Sequence, residues 1–362
     1  MTEILRNPLL VPAAWKPADM AASKAWIHPL SAAEVGELDA ALERIERRGV
    51  TVDSLTQADF PLTMLAARLE RVRAELVTGS GVALIRGLPV KRWTEEQSML
   101  VYAGIGAHLG ELTAQNGIGR LLDHVRATGR DWDKDPTVRG YQTTSALPFH
   151  CDKADFVGLL CLQHAKSGGA SCIASSVSIH NAAIERRPDL VESLYAPLYI
   201  DLRGEVPRGM KPYYPQPMYG YYKGRLYGRT GGKYAESAQR FPEVPRLTEN
   251  QIEAMAYVES LAQSDEFRFD MTFEQGDIQL LNNHVIFHSR RQYEDYPEPE
   301  RRRHLVRMLM FSEAYRDVPD YVQHVNDVIR WWRAHPGEAV AAMAVAAVAA
   351  TASAAATENS EA

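Results

Sequence analysis

At 362 residues, 46 % hydrophobic and 24 % charged, the chain is long enough to bury a sizeable core and too ordinary in composition to be disordered, collagenous or a disulfide scaffold. Its 40 basic and 46 acidic residues give a formal charge of −6 with no dense Lys/Arg block, which argues against nucleic acid as a partner. Cys151, Cys161 and Cys172 form no CxxC pair, and "MTEILRNPLL" lacks the charged n-region and apolar core of a signal peptide, so the chain reads as cytoplasmic.

Ser31 with Glu34 forms the first capping box and opens the helical run "SAAEVGELDAALERIERRG". A second helical run, "LTMLAARLERVRAELVTGSG", leads into "GVALIRGLPV", a Val/Ile/Leu run closed by Gly87 and Pro89 that reads as a buried strand. Thr94 with Gln97 then opens "TEEQSMLVYAGIGAHLG". From about residue 140 the character changes to short apolar runs between Gly, Pro and Asn: "FVGLLCLQ", "GGASCIASS", "GRLYGR", "GDIQLLNN" and "HLVRMLMFS". Two helices interrupt them, one around "SIHNAAIERRPDLVESL" and one opened by Thr248 with Gln251 in "LTENQIEAMAYVESLAQS".

The alanine-rich segment Ala339 to Thr357 carries too little transfer energy for a membrane span and reads as a disordered or loosely helical tail. The pattern as a whole implies a β-sandwich or barrel core with helices outside and an open mouth for a small ligand. The expected organisation is one domain over 1–335, helical over about 1–110, with a sheet core over about 80–315 and the tail at 336–362.

In "ALPFHCDKAD" strand alternation turns His150 and Asp152 to one side and Cys151 to the other, so the pair can grip one ion. "GDIQLLNNHVIFHSRRQYED" supplies a distant second imidazole, His288, with His284 as the alternative. Two imidazoles and one carboxylate form the facial triad that leaves iron(II) with open positions, and the same set holds zinc. In "RRRHLVRMLMFS" alternation puts Arg303, Leu305, Arg307 and Leu309 on one face. Two arginines on an apolar strand are costly to bury unless each meets an anion, one a cosubstrate and the other a substrate.

"FHCD", "GGAS", "GDIQLLNNHVIFHSR" and "RRRHLVRM", in this order between Tyr141 and Phe311, resemble the taurine dioxygenase/TfdA-like family of iron(II)- and 2-oxoglutarate-dependent oxygenases. The resemblance implies a mainly β fold with surrounding helices around a double-stranded β-helix, the jelly-roll or cupin-like core. It implies His150, Asp152 and His288 as iron ligands, Arg303 as partner of the distal carboxylate of 2-oxoglutarate, and Ser171 as the hydroxyl that assists it. Arg307 matches a position that in some members contacts an anionic group of the substrate. The cofactor set it implies is Fe(II), with 2-oxoglutarate and O2 consumed and succinate and CO2 released. Related halogenases replace the carboxylate with a small residue, so Asp152 favours hydroxylation, desaturation or another oxygenase outcome.

The remaining polar residues divide between structure and substrate. Asp155 reads as a cap or turn, Arg290 and Arg291 as facing solvent or a neighbouring acid, and His124, His164, His180 and His304 as hydrogen-bonded or surface groups. The tyrosines of "YYPQPMYGYYKGRLYGR" flank a Lys223-Gly224 hairpin turn and pack across strands first; caging an ammonium or stacking on an aromatic substrate is the second reading. Gln115, Asn116, Tyr221 and Arg229 join Arg307 as candidate substrate residues. The expected substrate is a small amino acid, amine or other carboxylate, with no membrane partner and homo-oligomerisation left open. Two other readings compete with the oxygenase: a zinc-type hydrolase using the same triad, and a jelly-roll binding or sensing protein without turnover.

Overall fold

The computed structural model describes residues 3–129 and 139–339; of the alanine-rich tail, everything from 340 onward lies outside the described residues. All three expected capping boxes are present: Ser31 Oγ, Thr94 Oγ1 and Thr248 Oγ1 each accept the backbone N–H three residues on, and Glu34, Gln97 and Gln251 reach back to the cap residue's N–H. They start the helices Ala32–Arg47, Glu95–Leu109 and Glu249–Gln263, each box satisfying two otherwise orphaned donors and contributing about 1 kcal/mol. The run "SIHNAAIERRPDLVESL" is not one helix. It breaks into Ser176–Arg186, a 3-10 turn Pro188–Leu190 and Val191–Tyr195. Pro188 has no N–H to donate and drives Arg187 out of helical geometry, to φ −137° and ψ 61°.

Two antiparallel sheets make the jelly roll. The larger runs Ile27–Pro29, Val82–Arg86, Ile278–Asn282, Phe156–Gln163 and His304–Phe311 in spatial order, with Glu111–Thr113 and Leu122–Val125 both paired to the last strand; only the Ile27–Pro29 pairing is parallel. The smaller runs Arg268–Met271, Ser171–Ser175, Ile286–Arg290 and Leu147–His150. Period-two alternation sorts the larger sheet's side chains. Ala83, Ile85, Leu160, Leu280, Val306 and Met308 pack outward against Leu38, Leu69, Val101 and Ile105 of the covering helices. Val82, Leu84, Val157, Leu281 and Leu309 face inward and share a core with Phe149, Ile173 and Phe287 of the smaller sheet. Full burial of such side chains is worth roughly 1.5–3 kcal/mol each, so these two layers fix the relative position of the sheets and the space between them.

Lys223 and Gly224, with φ of +47° and +79°, close the two-residue hairpin between Tyr219–Tyr222 and Arg225–Gly228. Tyr219 and Tyr227 of that hairpin are fully buried, so these rings are packing groups rather than an open cage. No helix among the described residues is long and apolar enough to cross a membrane.

Candidate active site

Two adjacent strands of the smaller sheet carry the site. Leu147–His150 pairs antiparallel with Ile286–Arg290 so that His150 lies opposite His288, and the two rings stand 4.3 Å apart between centroids. Asp152 is not on the strand as alternation had implied, because the strand ends at His150. A loop delivers it instead: the Asp152 amide donates to Asn283 Oδ1 at 3.2 Å, and Ala154 turns the chain at φ +71°. Cys151 points elsewhere, its Sγ 4.0 Å from Gly228 O.

His150, Asp152 and His288 each offer a ligand atom within 4.8 Å of the other two. His150 Nδ1 donates to Pro148 O at 3.0 Å, which leaves Nε2 as the bare nitrogen. Asp152 Oδ2 lies 3.5 Å from His288 Nε2 and is buried without a hydrogen-bond partner. An orphaned carboxylate oxygen beside two imidazole nitrogens is a donor set that fits a divalent cation. Burial, then the neighbouring His288, push His150 down to about 4, so its ring is a neutral ligand at pH 7. Burial alone would raise Asp152; the Arg307 guanidinium, followed by His288, holds it well below the usual carboxylate range. Glu95, His124 and His304 likewise offer ligand atoms within 4.8 Å of one another, but there His124 Nδ1 and His304 Nε2 share a 2.8 Å hydrogen bond and Glu95 is exposed.

The triad lines a cavity whose other polar walls include Ser171, Arg290, Arg303 and Arg307 and whose apolar walls include Val125, Leu159, Phe273 and Leu305. Arg303 sits one residue before its strand, which starts at His304 with a register shift, yet it shares the cavity with Leu305 and Arg307. It is 4 % exposed, and its Nη1 has no partner. Ser171 lines the same cavity, but its hydroxyl donates to Gln279 Oε1 at 3.0 Å rather than assisting Arg303. Gln279 is legible in "GDIQLLNN" as a polar side chain between Ile278 and Leu280 of an otherwise apolar run.

Arg307 Nη1 donates to Asp152 Oδ1 at 2.8 Å and Nε to Gln115 Oε1 at 2.7 Å, while its guanidinium lies 5.0 Å over the Tyr141 ring. Gln115 returns hydrogen bonds to Arg307 O and Leu121 O, both at 2.8 Å, so these two candidate substrate residues are brought together. The other three are not. Asn116 Oδ1 closes a turn on Ile118 N, Tyr221 packs on the core with its backbone bridged to Glu3, and Arg229 donates to Asn283 O at 2.9 Å and His284 Nδ1 at 3.0 Å. Asn116 and Arg229 are candidates only by their expected placement near the mouth and Tyr221 by its tyrosine cluster, and local hydrogen bonding and packing decide otherwise. His284 is likewise held away from the triad by Asp155, at 2.8 Å.

Two charged residues were misread or missed. Arg290, expected to face solvent or a neighbouring acid, is 5 % exposed and lines the cavity, with Nη2 donating to Thr143 O at 2.8 Å and Ser145 O at 2.5 Å. Burial, then the charge of Arg303, push its pKa down to about 10. The signal was present: two residues after His288 on a strand is the same face. Lys153, beside Asp152, places Nζ 4.6 Å over the Trp332 ring, which no local pattern announces.

The profile of the taurine catabolism dioxygenase TauD, TfdA family matches residues 47–309. FR-33289 synthase of Streptomyces rubellomurinus is 33 % identical over 327 residues, covering 88 % of this chain and 95 % of the relative. The taurine hydroxylase-like protein SAT17 of Stachybotrys chartarum is 29 % identical over 315 residues, covering 83 % and 79 %. Among solved structures, asparagine oxygenase in complex with Fe(II), 2S,3S-3-hydroxyasparagine and succinate superposes with a TM-score of 0.61 at 17 % identity, over 79 % of this chain and 93 % of that one. The non-heme iron oxygenase OrfP with Fe and alpha-ketoglutaric acid gives 0.60 at 16 % identity, over 79 % and 94 %.

Proposed function

The chain belongs to the taurine catabolism dioxygenase TauD, TfdA family, and from that premise we propose that it is an iron(II)- and 2-oxoglutarate-dependent oxygenase that hydroxylates an unactivated C–H bond of a small molecule and releases succinate and CO2. The observation that carries this reading is one cavity holding both the His150, Asp152 and His288 donor set, with its orphaned carboxylate oxygen, and the buried guanidinium of Arg303 with its Nη1 unpartnered.

His150, Asp152 and His288 would hold the iron. Bound iron(II), with 2-oxoglutarate and O2, supplies the oxidising power. The chain's own residues bind and orient. Arg303 receives the distal carboxylate of the cosubstrate through charge-assisted hydrogen bonds, and Arg307, braced by Gln115, orients the substrate's acidic group. Val125, Leu159, Phe273 and Leu305 keep water from the reacting end. A retained Asp152 favours oxygen rather than halide transfer. A small amino acid, amine or other carboxylate is the substrate class, in keeping with the hydroxylated amino acids bound to proteins of this fold. Three free cysteines favour a cytoplasmic setting, with one oxygenase domain over 1–335 and no nucleic-acid partner.

Anaerobic titration with iron(II) and then 2-oxoglutarate tests the reading, through the weak visible charge-transfer band of a keto acid on iron(II). The band is expected in the native protein and absent in His288→Ala, and succinate formation across a panel of L-amino acids and amines then identifies the substrate. Iron binding without a band would put the zinc-hydrolase or sensor readings in its place.

A further inference from the structure

Arg290 lies two residues past the proposed ligand His288 on the same strand, so the pleat turns both toward the cavity that Arg303 also lines. The two arginines are 5 % and 4 % exposed. Both approach one ring: the guanidinium carbons stand 4.9 Å and 5.1 Å from the centroid of Tyr293. Arg290 uses only Nη2 on the protein, for Thr143 O and Ser145 O, and leaves Nε and Nη1 buried without an acceptor. Arg303 Nη1 and the Tyr293 hydroxyl are unpartnered too.

Among the described residues the one carboxylate coupled to both arginines is Asp295, whose Oδ1 takes the backbone N–H of Arg303 at 2.7 Å and whose Oδ2 is buried without a partner. One acid facing two guanidiniums leaves a buried excess of one positive charge and several unmet donors, which is unstable unless an anion completes the set. A strut for the Thr143 and Ser145 carbonyls would need one ammonium-like donor, which a lysine also offers. It would not need the Nε–Nη1 edge that Arg290 presents bare.

We propose that Arg290 is a second cosubstrate-binding residue: its Nε–Nη1 edge and Arg303 close on the same distal carboxylate of the 2-oxo acid, beside the Tyr293 ring. This rests on the oxygenase reading and adds to it. A two-arginine clamp makes the cavity selective for a dicarboxylic 2-oxo acid over a monocarboxylic one.

The test uses the full-length protein loaded anaerobically with iron(II) and reads dissociation constants from the keto-acid band, so no turnover is involved. Two probes share the chelating end, 2-oxoglutarate and 2-oxobutyrate, and differ only in the distal carboxylate. Arg290→Lys keeps the charge and the strut. Its unfolding temperature is expected to match that of the native protein while 2-oxoglutarate binding weakens by about 10-fold, the loss of one charge-assisted hydrogen bond, with 2-oxobutyrate changed less than about 2-fold. Arg290→Gln should weaken 2-oxoglutarate further. Unchanged 2-oxoglutarate binding in Arg290→Lys, or equal weakening of both probes, would reduce Arg290 to a strut and overturn the clamp. A native protein that shows no band with either probe overturns the oxygenase reading itself, a separate result.

Discussion

The buried pair Asp155 and His284 allows a perturbation whose magnitude follows from the structure. Arg229 can only donate, so its 3.0 Å contact makes His284 Nδ1 the acceptor and places the ring proton on Nε2, facing Asp155 Oδ1 at 2.8 Å. Burial, then the Arg229 charge, push His284 down to about 4, so the ring is neutral at pH 7. Asp155 Oδ2 accepts the Ser312 N–H at 2.8 Å. Asp155→Ala therefore strands two buried donors, each costing about 1–3 kcal/mol, and the expected loss is about 4 kcal/mol. In Asp155→Asn the amide can accept from one donor but turns its own N–H toward the other, and Arg229 prevents the histidine from switching tautomer; the expected loss is about 2 kcal/mol. Urea unfolding at pH 7.5 followed by far-UV circular dichroism measures both. A cost below about 1 kcal/mol for Asp155→Ala, or full rescue by Asn, would refute the tautomer and burial argument. Iron affinity should fall with stability, because Asn283 donates to Asp155 O at 2.9 Å while its Oδ1 holds the amide of Asp152 at 3.2 Å.

Alanine at His150, Asp152 or His288 should abolish turnover and iron binding with less than about 2 kcal/mol change in unfolding free energy; a variant that still forms succinate would remove its residue from the proposed ligand set. His150, His180, His284 and His304 are all pushed down to about 4, chiefly by burial. The folded state thus binds fewer protons than the unfolded chain between about pH 6.5 and 4, so stability is present above the unfolded value and is lost as pH falls through that window, by about 3 kcal/mol from His284 alone. Urea midpoints that stay flat from pH 7 to 4.5 would contradict this. Gln115→Ala should raise KM for the substrate by about 10-fold with kcat little changed, since it frees Arg307 from one brace; equal losses in kcat and kcat/KM would instead place Gln115 at the reacting atoms.

Much of this protein is decided locally and can be read from the chain. The three helix starts follow from Ser31–Glu34, Thr94–Gln97 and Thr248–Gln251, the hairpin from Lys223–Gly224, and the candidate ligands His150, Asp152 and His288 from residue type and order. Capping, turn chemistry and strand periodicity act over a few residues, so the sequence alone determines them. What the tertiary structure decided is which side chain finishes each hydrogen bond across the fold. Ser171 donates to Gln279 rather than assisting Arg303, Asp155 pairs with His284, Arg290 turns into the cavity instead of toward water, and Arg229 and Tyr221 are absorbed by packing. Those outcomes depend on contacts between residues far apart in the chain, 129 positions for His284 with Asp155 and 108 for Gln279 with Ser171. The physical reason is that burial makes an unmet donor or charge costly, and only the assembled sheets determine which groups are buried and which partners lie within reach.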